Sequence, residues 1–167
     1  MALALVAVTC CAASAGLGGN ARATGRAAGS VRATAIRVAQ ALLARPLDVA
    51  LTQVRCEAYR AQHFCGLVLS GVTFHRALDR AAFERDVDAL IATAFGVDAG
   101  IAEIDLWVTV PANAGKGAVV SGDFALPTSA TVYATTATRA HAAHASTGPN
   151  VFWDPTFRAE LVRGVHA

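Results

Sequence analysis

The segment of residues 64–110 constrains the fold of this chain more than any other part of the sequence. Its hydrophobic pattern predicts a strand at 64–74, a helix at 79–95 and a strand at 104–110. In the helix the apolar residues form one stripe at helical spacing, which comprises Phe83, Val87, Leu90, Ile91 and Ala94. A helix that connects two strands allows one parallel pair within the sheet.

Both ends of this helix carry recognisable signals. Asp79 is predicted as the N-cap, because its carboxylate can accept from free backbone N–H groups of the first turn. Gly96 is predicted to end the helix, since glycine adopts the left-handed conformation at little cost. On the outer side, Arg80, Glu84 and Asp88 lie at i, i+4 spacing. We interpret them as a solvated face with an Arg80–Glu84 pair rather than as a paired-carboxylate site.

The strand at 64–74 is apolar on both faces, whereas the strand at 104–110 alternates between apolar and polar residues. The first pattern is typical of an interior strand covered on both sides, for which two helices would provide the cover. Two further strands are predicted at 118–124 and 130–138. The glycine-containing loop at 112–117 fails the phosphate-binding pattern and is interpreted as a hairpin loop.

Length and charge limit the classes of function. A chain of 167 residues with a net charge of +2 predicts one domain and argues against a nucleic-acid partner. The positive charge is unevenly placed, because residues 1–47 contain five arginines and no acidic residue. We therefore expect a mildly acidic body behind a basic N-terminal segment.

The N-terminus resembles a secretory signal peptide in its general pattern. An apolar run at 3–13 is too short to cross a bilayer of about 30 Å, and a small-x-small pattern follows at 13–15. We predict a signal peptide at 1–15, a flexible tether at 16–30 and one folded domain at 31–167. This arrangement places the protein in the periplasm or outside the cell.

Two other interpretations of the N-terminus stay open. Cys10 or Cys11 is the candidate lipidation site of a bacterial lipoprotein, which would tether the protein to a membrane at its N-terminus. A mitochondrial transit peptide is the third interpretation, because the segment up to Arg45 is rich in arginine and free of acids. The unbroken apolar run favours export.

A second helical pattern starts at Ser30 and stops at Pro46. Its apolar stripe comprises Val31, Ala35, Val38 and Leu42. We predict that this stripe packs on the sheet. The alternative is a basic amphipathic helix that lies on an anionic membrane with Arg32, Arg37 and Arg45 outward.

Two cysteines remain beyond the predicted signal peptide, and they predict a disulfide between Cys56 and Cys65. Strands at 49–59 and 64–74 would form a hairpin about the polar stretch 60–62, which sets the two cysteines opposite each other. Since no CxxC spacing is present, we interpret the pair as a structural bridge and not as a redox centre.

Catalytic and metal-binding motifs are missing from the sequence, which contains no G-x-S-x-G, HExxH, dinucleotide or Walker pattern. His141 and His144 have the i, i+3 spacing of two metal ligands, but no third ligand is nearby. Together with His63 and His75 they are the candidate site residues. We expect neither a metal nor a cofactor.

Asp154 and Pro155 predict an N-cap and first residue of a short C-terminal helix. Phe152, Trp153 and Phe157 are expected to dock this helix on the body, and an aromatic patch for a partner is the alternative. The sequence thus predicts an α+β fold, a mainly antiparallel sheet of about five strands with two packed helices and a short C-terminal helix.

The predicted function is that of an exported domain without catalytic activity, with a binding or structural role. Its expected partner is a protein, an envelope component or an apolar ligand. The alternative is a small secreted hydrolase or metal-assisted enzyme that uses the four histidines named above. Convergence of two or three of them with a carboxylate would favour the enzyme.

Overall fold

A computed structural model describes residues 7–8, 21–46, 49–74, 79–111 and 129–158. The strands are β1 (Ala7–Val8), β2 (Val49–Tyr59), β3 (Gln62–Phe74), β4 (Ile101–Pro111), β5 (Ser129–Thr138) and β6 (Val151–Trp153). The helices are α1 (Ala21–Leu43) and α2 (Arg80–Val97), and a 3₁₀ segment (Arg139–Thr147) follows β5. The predicted loop at 112–117 and the predicted strand at 118–124 lie outside the described residues.

The strands form one sheet in sequence order, β1-β2-β3-β4-β5-β6. The β2–β3, β4–β5 and β5–β6 pairs are antiparallel. The β3–β4 pair, connected through α2, is parallel, and so is the short β1–β2 pair. The predicted α+β class with a mainly antiparallel sheet of about five strands is confirmed, with four long strands (β2 to β5) and the three-residue β6. β3 is an interior strand, as its apolar sequence indicates.

Both helices pack against the same face of the sheet, which we call the helix face. Their buried side chains form one core with the inward residues of β2 to β5, and the largest fully buried members are Tyr133, Phe83, Leu42, Leu67, Leu69, Ile91, Ile101, Ile104, Leu106 and Val38. The expectation that the two helices would cover opposite faces of β3 is therefore wrong. The helices contact each other as well as the sheet, so their apolar stripes serve a single core.

The first helix is longer than its apolar pattern indicates. The stripe of Val31, Ala35, Val38 and Leu42 is buried, so the prediction that it packs on the sheet is confirmed. The helix already begins at Ala21 and thus extends into the segment predicted as a tether. Residues 21–30 are rich in alanine, which has the highest helix propensity, although they carry no apolar stripe.

The second helix begins as predicted and ends differently. Asp79 is the N-cap, and its Oδ1 accepts from the backbone N–H of Ala82 at 2.7 Å. Gly96 does not end the helix, which continues to Val97. The guanidinium of Arg139 donates to the carbonyl oxygen of Phe95 at 2.9 Å, so a distant side chain satisfies a terminal carbonyl that a left-handed glycine would otherwise help to satisfy.

The hairpin of β2 and β3 has the predicted register. Cys56 lies opposite Cys65, and the two form a disulfide with a Cα–Cα distance of 4.1 Å. Both residues are buried in the core of the helix face. Arg60 takes the left-handed conformation at the turn, with φ of 57°. The disulfide is thus part of the core that the helices cover.

The C-terminal part of the described chain combines one predicted and one unexpected element. The Asp154 carboxylate accepts from the backbone N–H groups of Thr156 and Phe157 at 2.9 and 3.0 Å, which confirms the N-cap. Residues 155–158 form one helical turn, which ends the described part of the chain. The segment before it, Val151–Trp153, is a strand that the sequence analysis did not predict.

At the other edge of the sheet, Ala7–Val8 form a two-residue strand that pairs in parallel with Gln53 and Val54 of β2. These two residues belong to the predicted signal peptide at 1–15. Cys10 and Cys11, the candidate lipidation sites, lie outside the described residues. The signal peptide and the lipidation stay predictions.

Candidate functional site

The face of the sheet opposite the helices, which we call the open face, presents a continuous surface of alternating residues. Side chains on a strand alternate between faces, so β4 directs Glu103, Asp105 and Trp107 away from the core that contains Ile104 and Leu106. In the described part of the chain, no helix packs on this face.

One cross-strand row on the open face is apolar. Val68 of β3 lies opposite Trp107 of β4, which lies opposite Ala134 of β5, and Phe152 of β6 completes the row. Phe152 is half exposed, at 51 % of its surface, and Trp107 is half-buried. Val68 is buried although it lies outside the core of the helix face. An apolar row with aromatic members is a typical contact surface for an apolar or protein ligand.

The neighbouring rows carry charge. Glu103 and Asp105 lie two residues apart on β4, so both carboxylates are on the open face. Partial burial raises the pKa of Glu103, and the negative charge of Asp105 raises it further. Asp105 accepts a hydrogen bond at 2.5 Å from the hydroxyl of Thr136, its partner on β5. Glu103 and Asp105 thus give this part of the open face a local negative charge.

On β2 the same face carries Arg55 and Glu57, whose side chains form an ion pair. The Arg55 guanidinium is almost completely buried, whereas Glu57 is exposed. Arg55 lies opposite Gly66, which in turn lies opposite Asp105. The open face thus carries the apolar row beside side chains of both positive and negative charge, as protein-binding surfaces commonly do.

A second polar cluster lies at the end of the sheet around Asp98, which follows α2. Its Oδ2 accepts from the Thr34 hydroxyl and from the Arg37 guanidinium, each at 2.8 Å. Its Oδ1 accepts from the backbone N–H of Gly100 at 2.8 Å. The Nδ1 atom of His63 lies 3.6 Å from Oδ2. We call these five residues the Asp98 cluster.

The hydrogen bonds to the Asp98 carboxylate hold its pKa below the ordinary value, with the Gly100 N–H as the largest cause. Thr34 and Arg37 belong to α1, and His63 belongs to β3, so the carboxylate joins three parts of the fold. Because its oxygens already accept three hydrogen bonds, it acts as an anchor for these elements. A histidine beside a carboxylate is also the arrangement of a general base, which makes His63 the one candidate histidine with such a partner among the described residues.

The other candidate histidines do not join this cluster. His141 is exposed, and its Nδ1 lies 3.0 Å from the hydroxyl of Thr138. His144 is exposed at a kink of the 3₁₀ segment. His75 lies outside the described residues. Among the residues with described positions, no three metal-ligating side chains gather at one place.

The sequence indicated part of the open face, but it did not indicate the Asp98 cluster. The alternation of β4 already indicated that Asp105 and Trp107 share one face, and pairing in register brought Phe152 beside them. Nothing local indicated the Asp98 cluster, because Thr34 and Asp98 are separated by 64 positions. Only the packing of α1 beside α2 brings those side chains together.

No helix in the described ranges has the length and apolar character needed to cross a membrane. Comparison of the chain with protein-family models, with curated proteins and with solved structures found no match.

Proposed function

We propose that the protein is an exported domain without catalytic activity, which binds its ligand through the open face of the sheet. The ligand is a protein, an envelope component or an apolar molecule. The observation that carries the proposal is the apolar row of Val68, Trp107 and Phe152, beside the carboxylates of Glu103 and Asp105. Aromatic side chains at a half-exposed sheet surface gain contact area from a ligand at a low cost in conformational entropy.

The disulfide supports the exported location. A bond between Cys56 and Cys65 persists in an oxidising compartment, whereas cytosolic reductants keep most thiols reduced. The apolar run at 3–13 and the small residues at 13–15 supply the matching export signal. Export and the disulfide are consistent with each other, because the bridge forms only after the chain leaves the cytosol.

Intact-mass measurement of the protein from its native host tests the exported location. We expect the mass of a chain that begins at Gly16 and lacks the two hydrogens of the Cys56 and Cys65 thiols. A mass that includes a lipid on Cys10 or Cys11 would establish the tethered form instead. A full-length chain with free thiols would contradict export.

The binding role is tested with the fluorescent apolar probe ANS. Phe152→Ser removes an exposed ring of the apolar row, and Leu43→Ser is the control away from the open face, because Leu43 is 44 % exposed at the end of α1. We expect Phe152→Ser to lower ANS fluorescence several-fold and Leu43→Ser to leave it nearly unchanged. If both variants lowered ANS fluorescence equally, with unchanged thermal unfolding, the open face would not be the binding surface.

A histidine-dependent hydrolase is the second candidate function, and the approach of His63 to Asp98 is the observation in its favour. Hydrolysis of p-nitrophenyl acetate by the protein and by His63→Ala distinguishes the two proposals. Under the binding proposal the variant hydrolyses the ester as slowly as the parent, and as slowly as a His141→Ala control. A rate that depends on His63 and not on His141 would favour the hydrolase.

A further inference from the structure

The outward face of α1 carries a second exposed surface that the open face of the sheet does not account for. Arg32, Ile36, Gln40 and Leu43 are all exposed and lie at i, i+4, i+8 and i+11, so they form one stripe opposite the buried stripe. Ile36 and Leu43 expose 37 % and 44 % of their surfaces. Two large apolar residues and an arginine thus share a surface on the outside of the fold.

The charge of this helix has one sign. The segment 21–43 contains four arginines and no acidic residue, and Arg45 lies two residues after its end. Arg37 pairs with Asp98, and the Arg45 guanidinium donates to the hydroxyl of Thr93. The helix therefore carries more positive charge than acidic side chains neutralise. This excess favours an anionic partner over a neutral one.

We propose that the outward face of α1 binds the surface of a membrane that contains anionic lipids. The Arg32 side chain would lie at the headgroups, while Ile36 and Leu43 enter the boundary with the acyl chains. The buried stripe of Val31, Ala35, Val38 and Leu42 takes no part, because it is packed in the core. The membrane contact is thus on the side of α1 opposite to its apolar stripe.

The mixed character of this surface supports a lipid partner. Ile36 and Leu43 are exposed apolar side chains on the same surface as Arg32. A surface of this kind gains both from the charge of anionic headgroups and from the apolar boundary beneath them. The inference goes beyond the proposed function, since vesicle binding in vitro requires neither export nor a ligand on the open face.

Cosedimentation of the full chain with sucrose-loaded vesicles tests the proposal. Vesicles of phosphatidylcholine alone are compared with vesicles that contain about one quarter phosphatidylglycerol, at about 0.05 M and 0.5 M salt. We expect binding to the anionic vesicles at low salt, and at least tenfold weaker binding to the neutral vesicles or at high salt. Equal binding to both vesicle types, or no binding to either, would overturn the proposal.

A matched pair of charge reversals locates the surface. Arg32→Glu changes the outward face of α1, and Arg85→Glu makes the same change of charge at an exposed position of α2. We expect Arg32→Glu to weaken binding about tenfold or more, since each basic residue near an anionic surface contributes about a fivefold factor. Arg85→Glu should change it less than about threefold. Equal losses would show that net charge alone governs binding.

Leu43→Ser tests the apolar part at constant charge. We expect weaker binding with an unchanged dependence on salt, and an unchanged thermal unfolding curve, because Leu43 is exposed. A single-stranded oligonucleotide serves as the competing polyanion. Binding of the oligonucleotide that depends on Arg32, without vesicle binding, would assign the surface to nucleic acid and refute the membrane partner.

Discussion

The two long helices pack on the same face of the sheet, but different kinds of side chain hold them there. α2 inserts Phe83, whose ring centroid lies 5.0 Å from that of Tyr133 and 5.4 Å from that of Trp153. α1 contributes only aliphatic and small residues to the core, of which Leu42 is the largest. Aromatic side chains bury more area than aliphatic ones, so we infer that α2 is the more strongly anchored helix.

The outward faces of the helices differ as well. On α2 the Nε atom of Arg80 lies 2.7 Å from the Glu84 carboxylate, as the i, i+4 spacing predicted. Asp88 accepts hydrogen bonds from the backbone N–H and the hydroxyl of Ser146. The charges of α2 thus serve the fold itself, whereas Arg32 of α1 faces outward from a helix without acidic residues. The comparison separates a helix that stabilises the domain from one that also offers a surface.

The largest difference should appear when a core side chain of each helix is truncated. Phe83→Ala is expected to lower the free energy of unfolding by about 3–5 kcal/mol, because a buried ring leaves a cavity. Val38→Ala on α1 should cost about 2 kcal/mol, the transfer of two methyl groups plus a smaller cavity. Urea unfolding monitored by circular dichroism measures both. Equal losses would contradict the stronger anchoring of α2.

The hairpin beneath α1 should depend on its disulfide. Replacing Cys56 and Cys65 together by Ala is expected to lower the free energy of unfolding by about 2.5–3 kcal/mol, the value for a closed loop of this size. A reducing agent should destabilise the parent protein similarly and leave the double variant unaffected. Insensitivity of the parent to reduction would show that the bridge does not stabilise the fold.

The stabilisation that α1 gains from its hydrogen bonds to Asp98 should depend on pH. Hydrogen bonds lower the pKa of the folded Asp98 carboxyl, so its stabilisation is fully present above the unfolded pKa of about 3.9 and is lost as the pH falls through the lower folded pKa. Asp98→Asn should cost about 1–2 kcal/mol near neutral pH. The stability difference between parent and variant should shrink as the pH falls below the unfolded pKa of about 3.9 and through the lower folded pKa. A stability difference that stays constant with pH would show that the charge of the Asp98 carboxylate is not what stabilises the fold.

The smallest effects should come from the outward faces. Arg80→Ala removes the ion pair with Glu84 and the contact of its guanidinium with the Trp153 ring, and is expected to cost about 1 kcal/mol. Arg32→Ala should change the free energy of unfolding by less than about 0.5 kcal/mol, since no pairing of Arg32 stabilises the described fold. Thermal unfolding at low and high salt compares them. A larger loss for Arg32→Ala would show that this arginine serves the fold.

Much of the fold was predictable because it depends on local order. The apolar stripes of both helices, the Asp79 N-cap and the pairing of Cys56 with Cys65 follow from spacing over fewer than a dozen residues. The end of α2 was not predictable, since the side chain that satisfies the Phe95 carbonyl belongs to Arg139. For the same reason β6 was not predictable, because this three-residue strand forms only by pairing with the edge of β5.

The candidate site divides in the same way. Alternation along β4 determines by itself that Asp105 and Trp107 share a face, because the period of a strand is two residues. Only the tertiary structure decides that both helices pack on the opposite face, and hence that this one stays open in the described chain. It also decides that Thr34, His63 and Asp98 meet. Periodicity determines which way a side chain points, but the choice among partners that are distant in sequence is made by the packing of whole elements into one core.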